Sequence, residues 1–253
     1  MTLSGLALTT CATQAGTDFR LEVGPELNAM QYREPGLIKE NGFLYGGFAS
    51  GTAIVKSNLV LNLRASLAAG TLRYDGQTME GEPASMDTPN RLFTLLTSLG
   101  YHWNPVTPFA GIGLRDWNDN LGANSPYGYN RQTTYLYSPL GLEISRAFGN
   151  AWTLGARAEF DLFWAGINRN TDFPIEGNET ITLHQHSGYG AQLSIFVHHP
   201  MTRSLGLMVE SFFQYWNIGR SEQVYILAPD GLLALYEPAN ETSLLGLRGG
   251  LRW

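Results

Sequence analysis

The sequence predicts an all-β fold, a transmembrane antiparallel up-and-down β-barrel of about ten strands. Three observations predict it. Apolar and polar residues alternate with period two in ten segments spread over the 253 residues. Several of these segments exceed the roughly five or six residues usual for soluble strands. The connections alternate, long then short, down the chain, which a meander produces when its tight turns all lie at one end.

Taken in order, the segments run 17–32, 43–56, 59–74, 90–103, 107–117, 132–147, 151–166, 180–198, 204–218 and 242–253. The first carries Arg20, Glu22 and Glu26 in one phase. The second, GFLYGGFASGTAIV, is the least decisive. In the third, Leu59, Leu61, Leu63, Ala65 and Leu67 share a face against Asn62, Arg64 and Ser66. The fourth ends in Tyr101 and Trp103; the fifth holds Arg115 and the sixth Glu143. The seventh sets Trp152, Leu154, Ala156, Ala158, Phe160, Leu162 and Trp164 against Thr153, Gly155, Arg157, Glu159 and Asp161. In the eighth, Ile181, Leu183, Tyr189, Ala191, Leu193, Ile195 and Val197 oppose His184, His186, Gly188, Gly190, Gln192 and Ser194. Leu205, Leu207, Val209, Phe213 and Tyr215 of the ninth oppose Glu210 and Gln214. The tenth places Leu245, Leu247, Gly249, Leu251 and Trp253 opposite Arg248 and Arg252.

Lys56-Ser57-Asn58, Asn104-Pro105-Val106, Phe148-Gly149-Asn150 and the stretch around Pro200 are the tight turns. Longer polar loops join the other pairs, among them 75–89, 118–130 and 168–179. The last, 219–241, differs. VYIL and LLALY flank the turn signal Ala228-Pro229-Asp230-Gly231. Both runs are too short to span a bilayer, so this is expected to be a hairpin protruding on the outer side. It either folds over the barrel mouth as a lid or offers a docking surface.

Bulk composition closes off other classes. Charged residues make up 15% of the chain, below the usual quarter. The net charge of −6, without a Lys/Arg cluster, argues against a nucleic-acid partner. No stretch approaches the length of apolar sequence a transmembrane helix needs. The single cysteine, Cys11, allows no internal disulfide. Residues 1–16 are small, apolar and uncharged, as in a signal-peptide remnant or a disordered N-terminal tail. Leu8-Thr9-Thr10-Cys11 weakly resembles a lipoprotein box, with Thr10 where a smaller residue is usual. Residues 17–253 then form one barrel domain.

Lipid cannot bond backbone N–H and C=O groups, so a sheet in a bilayer must close on itself. The apolar faces then touch lipid and the polar faces a lumen. The predicted lumen lining is Arg64, Arg115, Glu143, Arg157, Glu159, Asp161, His184, His186, Glu210, Arg248 and Arg252, with Arg20, Glu22 and Glu26. Both signs are present, so mutual pairing that fixes barrel shape is expected. Trp152 and Trp164 are twelve residues apart, about 40 Å along a strand and about 30 Å along the normal of a bilayer at a tilt of about 40°. They fit two interface girdles, joined by Tyr101, Trp103, Tyr215 and Trp253. A soluble lipocalin-type barrel would also alternate, with its apolar face inward around a ligand.

The C-terminal run LLGLRGGLRW resembles the terminal signal read by the barrel-assembly machinery, though Arg248 stands where a Gly is expected. TYLYSPLGLEI is similar to a phrase of uncharacterised outer-membrane barrels. On these residues the chain resembles the Gram-negative outer-membrane β-barrel proteins over about residues 17–253. The resemblance implies a place in the bacterial outer membrane with both termini in the periplasm. Its implied partners are outer-membrane lipid and, during insertion, the barrel-assembly machinery. The function expected is structural, or interaction through the outer loops, with another envelope protein at 219–241 as a partner. A narrow solute channel is the alternative, and a protease or lipid A-modifying enzyme a second one. An omptin-like protease would show paired acidic residues and an Asp-x-His at the outer rim, and a deacylase a His-x-Ser; neither pattern occurs, and no catalytic residue is assigned. His184 and His186 share a strand face about 7 Å apart. Without a third ligand they are expected to be lumen histidines bonded to carboxylates, and neither metal nor cofactor is expected.

Overall fold

The structure, a computed structural model, describes residues 18–55, 58–77, 81–125, 128–149, 151–175, 180–228 and 231–253. The N-terminal segment 1–16 lies outside the described residues, as do Pro229 and Asp230 of the hairpin turn.

Thirteen strands occur among the described residues. They are β1 (Asp18–Glu34), β2 (Ile38–Val55), β3 (Leu59–Gln77), β4 (Pro83–Tyr101), β5 (Val106–Asn120), β6 (Asn130–Phe148), β7 (Trp152–Thr171), β8 (Thr180–Gln185), β9 (Gly188–Pro200), β10 (Gly206–Ile218), β11 (Val224–Ala228), β12 (Gly231–Leu235) and β13 (Asn240–Arg252). Consecutive wall strands pair antiparallel from β1 to β7, then through β9 and β10 to β13. The β1–β13 pairing closes the ring, with Glu22 opposite Arg252. β8 prolongs the line of β9 and pairs with the far half of β7. The wall therefore has ten strands, while β11 and β12 form a separate hairpin.

The alternation that predicts the strands also orients them. Leu59, Leu61, Leu63 and Leu67 of β3 point outward and are exposed, as are Leu140, Leu142 and Ile144 of β6 and Leu193 and Ile195 of β9. Trp152, Leu154, Phe160, Leu162 and Trp164 of β7 join them. A band of this size around a closed sheet is a lipid-facing surface. One irregularity interrupts it. Tyr137 pairs with Phe163 but Leu136 with Ala165, so Trp164 is the extra residue of a bulge.

The strands run further than the sequence suggests, and the loops are correspondingly shorter. The stretch 75–89, expected to be a loop, is mostly strand, because β3 continues to Gln77 and β4 begins at Pro83. The connection between β1 and β2 is a tight turn: Leu37 N–H donates to the Glu34 carbonyl, and Gly36 takes a φ of 79°. Pro35-Gly36 fits that geometry, Pro fixing the first corner and Gly supplying the positive φ. The connections after β3, β5, β7 and β10 lie at this same end, and the remaining turns lie at the other with Asp18 and Trp253.

Candidate functional site

Inside the belt the lumen is ionic. Arg248 bridges Glu26 (Nε to Oε2, 2.5 Å) and Glu210 (3.3 Å), and Arg64 reaches Glu210 at 3.4 Å. Arg157 pairs with Glu159 at 2.8 Å, lies 4.0 Å from Glu143, and covers the Phe109 ring at 3.8 Å. Arg252 lies 3.6 Å from Glu22, which also faces His198 at 3.3 Å. The ionisable residues come from seven strands and meet because each lies in the inward phase of its own strand.

Two predicted members of the network are not paired. All three guanidinium nitrogens of Arg115 are buried without a hydrogen-bond partner among the described residues. Its guanidinium carbon lies 5.5 Å from the centre of the Tyr135 ring. Both carboxyl oxygens of Asp161 are likewise without a donor. Gly190 leaves room there, since a side chain at that position would press on Asp161 Oδ2 and the Trp216 ring. Arg115 sits well above the carboxylates of the belt, on a strand whose inward neighbours are Gly113 and Trp117 rather than acids.

His184 and His186 require a correction. Both are exposed and face outward, and Ile181, Leu183 and Gln185 face inward instead. The strand breaks between β8 and β9 at His186-Ser187, and the phase changes there. The rings stack at 6.4 Å, and His186 Nε2 lies 3.7 Å from Glu222. Among the described residues no group of three or more His, Cys, Asp or Glu is arranged to hold a metal.

Of the predicted interface aromatics, Tyr101, Trp103, Trp152 and Trp253 gather at the tight-turn end. Tyr101 and Trp103 meet edge-on at 5.8 Å, and Trp152 stacks on His199 at 4.3 Å. Trp164 is exposed and Tyr215 partly buried toward the other margin of the apolar band.

Above the ionic layer the interior is filled. Met30, Tyr32, Leu44, Ala68, Leu72, Leu92, Trp117, Phe212 and Leu244 form one buried cluster, contributed by β1–β5, β10 and β13. Tyr135, Tyr137, Trp216 and Ile218, with Phe163, fill the side of β6 and β7. Large apolar and aromatic side chains from most wall strands thus occupy this part of the lumen in two clusters.

A second buried ionic group, absent from the sequence prediction, tops this plug. Arg131 contacts Glu34 (2.9 Å), Glu40 (2.6 Å), Asp119 (3.1 Å) and Glu237 (3.7 Å), and its guanidinium packs over Tyr32 and Trp117. Glu237 belongs to the loop after β12. Tyr32 Oη donates to it at 3.2 Å, and it is tied to Ser221 by two hydrogen bonds. Burial first, then the charge of Glu34, pushes the Glu237 carboxyl up to about 7, against the opposing pull of Arg131. Extending the period two through Asn28, Met30, Tyr32 and Glu34 was the signal that could have found this group.

The hairpin β11–β12 caps the mouth. Val224, Ile226, Leu233 and Leu235 pack against Phe173, Ile175, Ile181, Leu183 and Tyr129. The other face is exposed, with Leu227 75% and Leu232 71% accessible. The segment is a lid on one side and an uncovered apolar surface on the other.

The tight-turn end is open. A cavity of about 400 Å³ enters the barrel there and stops at Arg64 and Glu210. A wider mouth between Asp18, Arg203 and Trp253 leads into it.

No family model matches the chain, and no curated protein does. Among solved structures, the outer membrane protease OmpT from Escherichia coli superposes with a TM-score of 0.56 at 10% identity, covering 95% of this chain and 97% of its own. Neisserial surface protein A gives a TM-score of 0.38 at 9% identity, covering 94% and 97%. Ail of Yersinia pestis gives 0.37 at 6%, covering 93% and 99%. The first of these likenesses is one of fold alone: the chain has the closed, ten-stranded antiparallel architecture of a transmembrane outer-membrane β-barrel.

Proposed function

We propose that the chain is a non-conducting, non-enzymatic outer-membrane barrel that acts through the surface at its outer mouth. It is inserted with the tight turns and both termini toward the periplasm, the usual side for short turns. The observation that carries this reading is the plug. Two buried clusters of apolar and aromatic side chains, one from β1–β5, β10 and β13 and one on the side of β6 and β7, occupy the lumen above the ionic layer, and the final loop seats Glu237 beside Tyr32 of the first. An ion would have to displace a packed core, which a channel of fixed polar lining does not require. Outside the plug, the uncovered face of the β11–β12 hairpin is the surface offered to another envelope protein.

Planar-bilayer recording tests the reading. The wild-type barrel is expected to be silent, and Trp117→Ala combined with Phe212→Ala to open measurable conductance. Steady unitary steps from the wild type would establish the narrow-channel alternative instead. A blank result for proteolysis and lipid A deacylation by the purified protein is expected alongside, and turnover in either assay would replace the non-enzymatic reading.

A further inference from the structure

We propose that the cavity at the tight-turn end is a binding site for a small, anionic, hydroxyl-rich solute of the phosphorylated or carboxylated sugar class. Four properties of the cavity point there. The first is size: about 400 Å³ falls within the range of small-molecule pockets. The second is shape. The cavity narrows to a floor at Arg64 and Glu210, whose ion pairs run on to Arg248 and Glu26, and beyond them lie a void of about 40 Å³ and then the apolar side chains. A solute enters and leaves by the same opening, as in a binding site rather than a path.

The third property is charge. The chain as a whole carries −6, yet the cavity and its mouth are lined by Arg20, Arg64, Arg146, Arg157, Arg203 and Arg252. Against these six stand Asp18, Glu22, Glu143 and Glu210 in the lining, Asp18 pairing with Arg20, and Glu159 just beneath it pairing with Arg157, so the excess is carried by Arg146 and Arg203. His102, His198 and His199 lie there too. The carboxylates are shared: Glu22 serves Arg252 and His198, and Glu210 serves Arg64 and Arg248. Arg64 Nε remains buried without a partner among the described residues. A concave wall with a cationic excess concentrates anions.

The fourth property is the neutral lining. Ser50, Thr52, Ser98, Thr107, Ser145 and Thr153 line the cavity with Asn62 and Asn104; Asn62 donates to the Ser50 and Thr52 hydroxyls, and His102 bonds that of Thr107. Hydroxyl and amide groups set among guanidinium donors match a solute that carries both an anionic group and several hydroxyls.

Two measurements on the full chain in detergent micelles test the site. By calorimetry, glucose 6-phosphate and glucuronate are expected to bind, with glucose at least tenfold weaker. Inorganic phosphate alone is expected to bind more weakly than glucose 6-phosphate. The second measurement needs no ligand. With Cys11→Ser, a Ser145→Cys reporter is expected to react with an anionic thiosulfonate faster than with a cationic one, by about tenfold relative to free cysteine. Arg252→Gln is expected to reduce that ratio, with the heat-modifiable gel shift confirming a closed barrel. Glucose binding as well as its phosphate, no binding by either anionic sugar, or a reporter without preference for the anionic reagent would each overturn the proposal. Conductance plays no part in these outcomes, so the site and the sealed lumen fail separately.

Discussion

The same ten-stranded ladder passes through two regions whose polarity is opposite. In the belt, Leu61, Leu63 and Leu67 of β3 point outward while Arg64 points in. A few residues further along the same strand, Thr71, Arg73 and Asp75 point outward while Leu72 and Tyr74 are buried. β1 does the same, passing from Leu21, Val23 and Leu27 outside to Gln31 and Arg33. On β8, Ile181 and Leu183 face inward and His184 faces out. The difference teaches what the alternation reports. It records the contrast between the two media on either side of the wall, lipid and lumen below, water and packed core above.

The largest effect is expected where the outer region depends on one cation. Arg131→Met leaves Glu34, Glu40, Asp119 and Glu237 facing one another without a counter-charge, and should cost about 3–5 kcal/mol. Hydrogen exchange should show that loss in the outer strand halves while the belt stays protected. Equal loss in both regions would mean that they are not separable.

A charge swap sharpens the boundary. Phe160→Arg, near the middle of the belt and outward-facing, should destabilise the barrel by about 2–4 kcal/mol in a urea titration in lipid vesicles. Arg73→Leu, outward-facing above the belt and half exposed, should change it by no more than about 0.5 kcal/mol. Similar values at the two sites would contradict the placement of the lipid boundary.

The smallest effect is the seating of the final loop. Glu237 has an ordinary value of 4.5 when free and about 7 when seated beside Glu34, Glu40, Asp119, Tyr32 and Arg131. The seated form therefore holds a proton that the free loop releases. Seating is fully favoured below about pH 4.5 and weakens as pH rises through about 7. Protease susceptibility of residues 224–235 should rise several-fold across that window, and Glu237→Gln should flatten the dependence. A wild-type profile with the opposite slope would sink the assignment.

Much of the wall was legible in the sequence because lipid imposes the alternation on every strand that crosses it. The seventh segment, from Trp152 to Trp164, has the face it was expected to have. Legibility ended where the outer medium changed. His184 and His186 were assigned to the lumen by continuing the phase of Leu193 and Ile195 past Ser187, across a break that no residue type announces. The Arg131 group was missed because Glu34, Glu40 and Asp119 lie in stretches whose outward faces are polar, and so resemble loops. The same reasoning made 75–89 look unstructured. The cavity charges Arg64, Arg157, Arg252 and Glu210 were visible as inward residues, but which of them share a partner is a property of register that period two does not encode.

The seam between β1 and β13 has its own consequence. Glu26 and Arg248 meet across it although 222 positions separate them. The ring cannot close until β13 has been delivered to β1, so closure waits on every strand between them. Until then β1 presents a long row of unsatisfied amides to any strand that drifts past. Whatever escorts this polypeptide must shield that first edge, and let go of it only when the last one arrives.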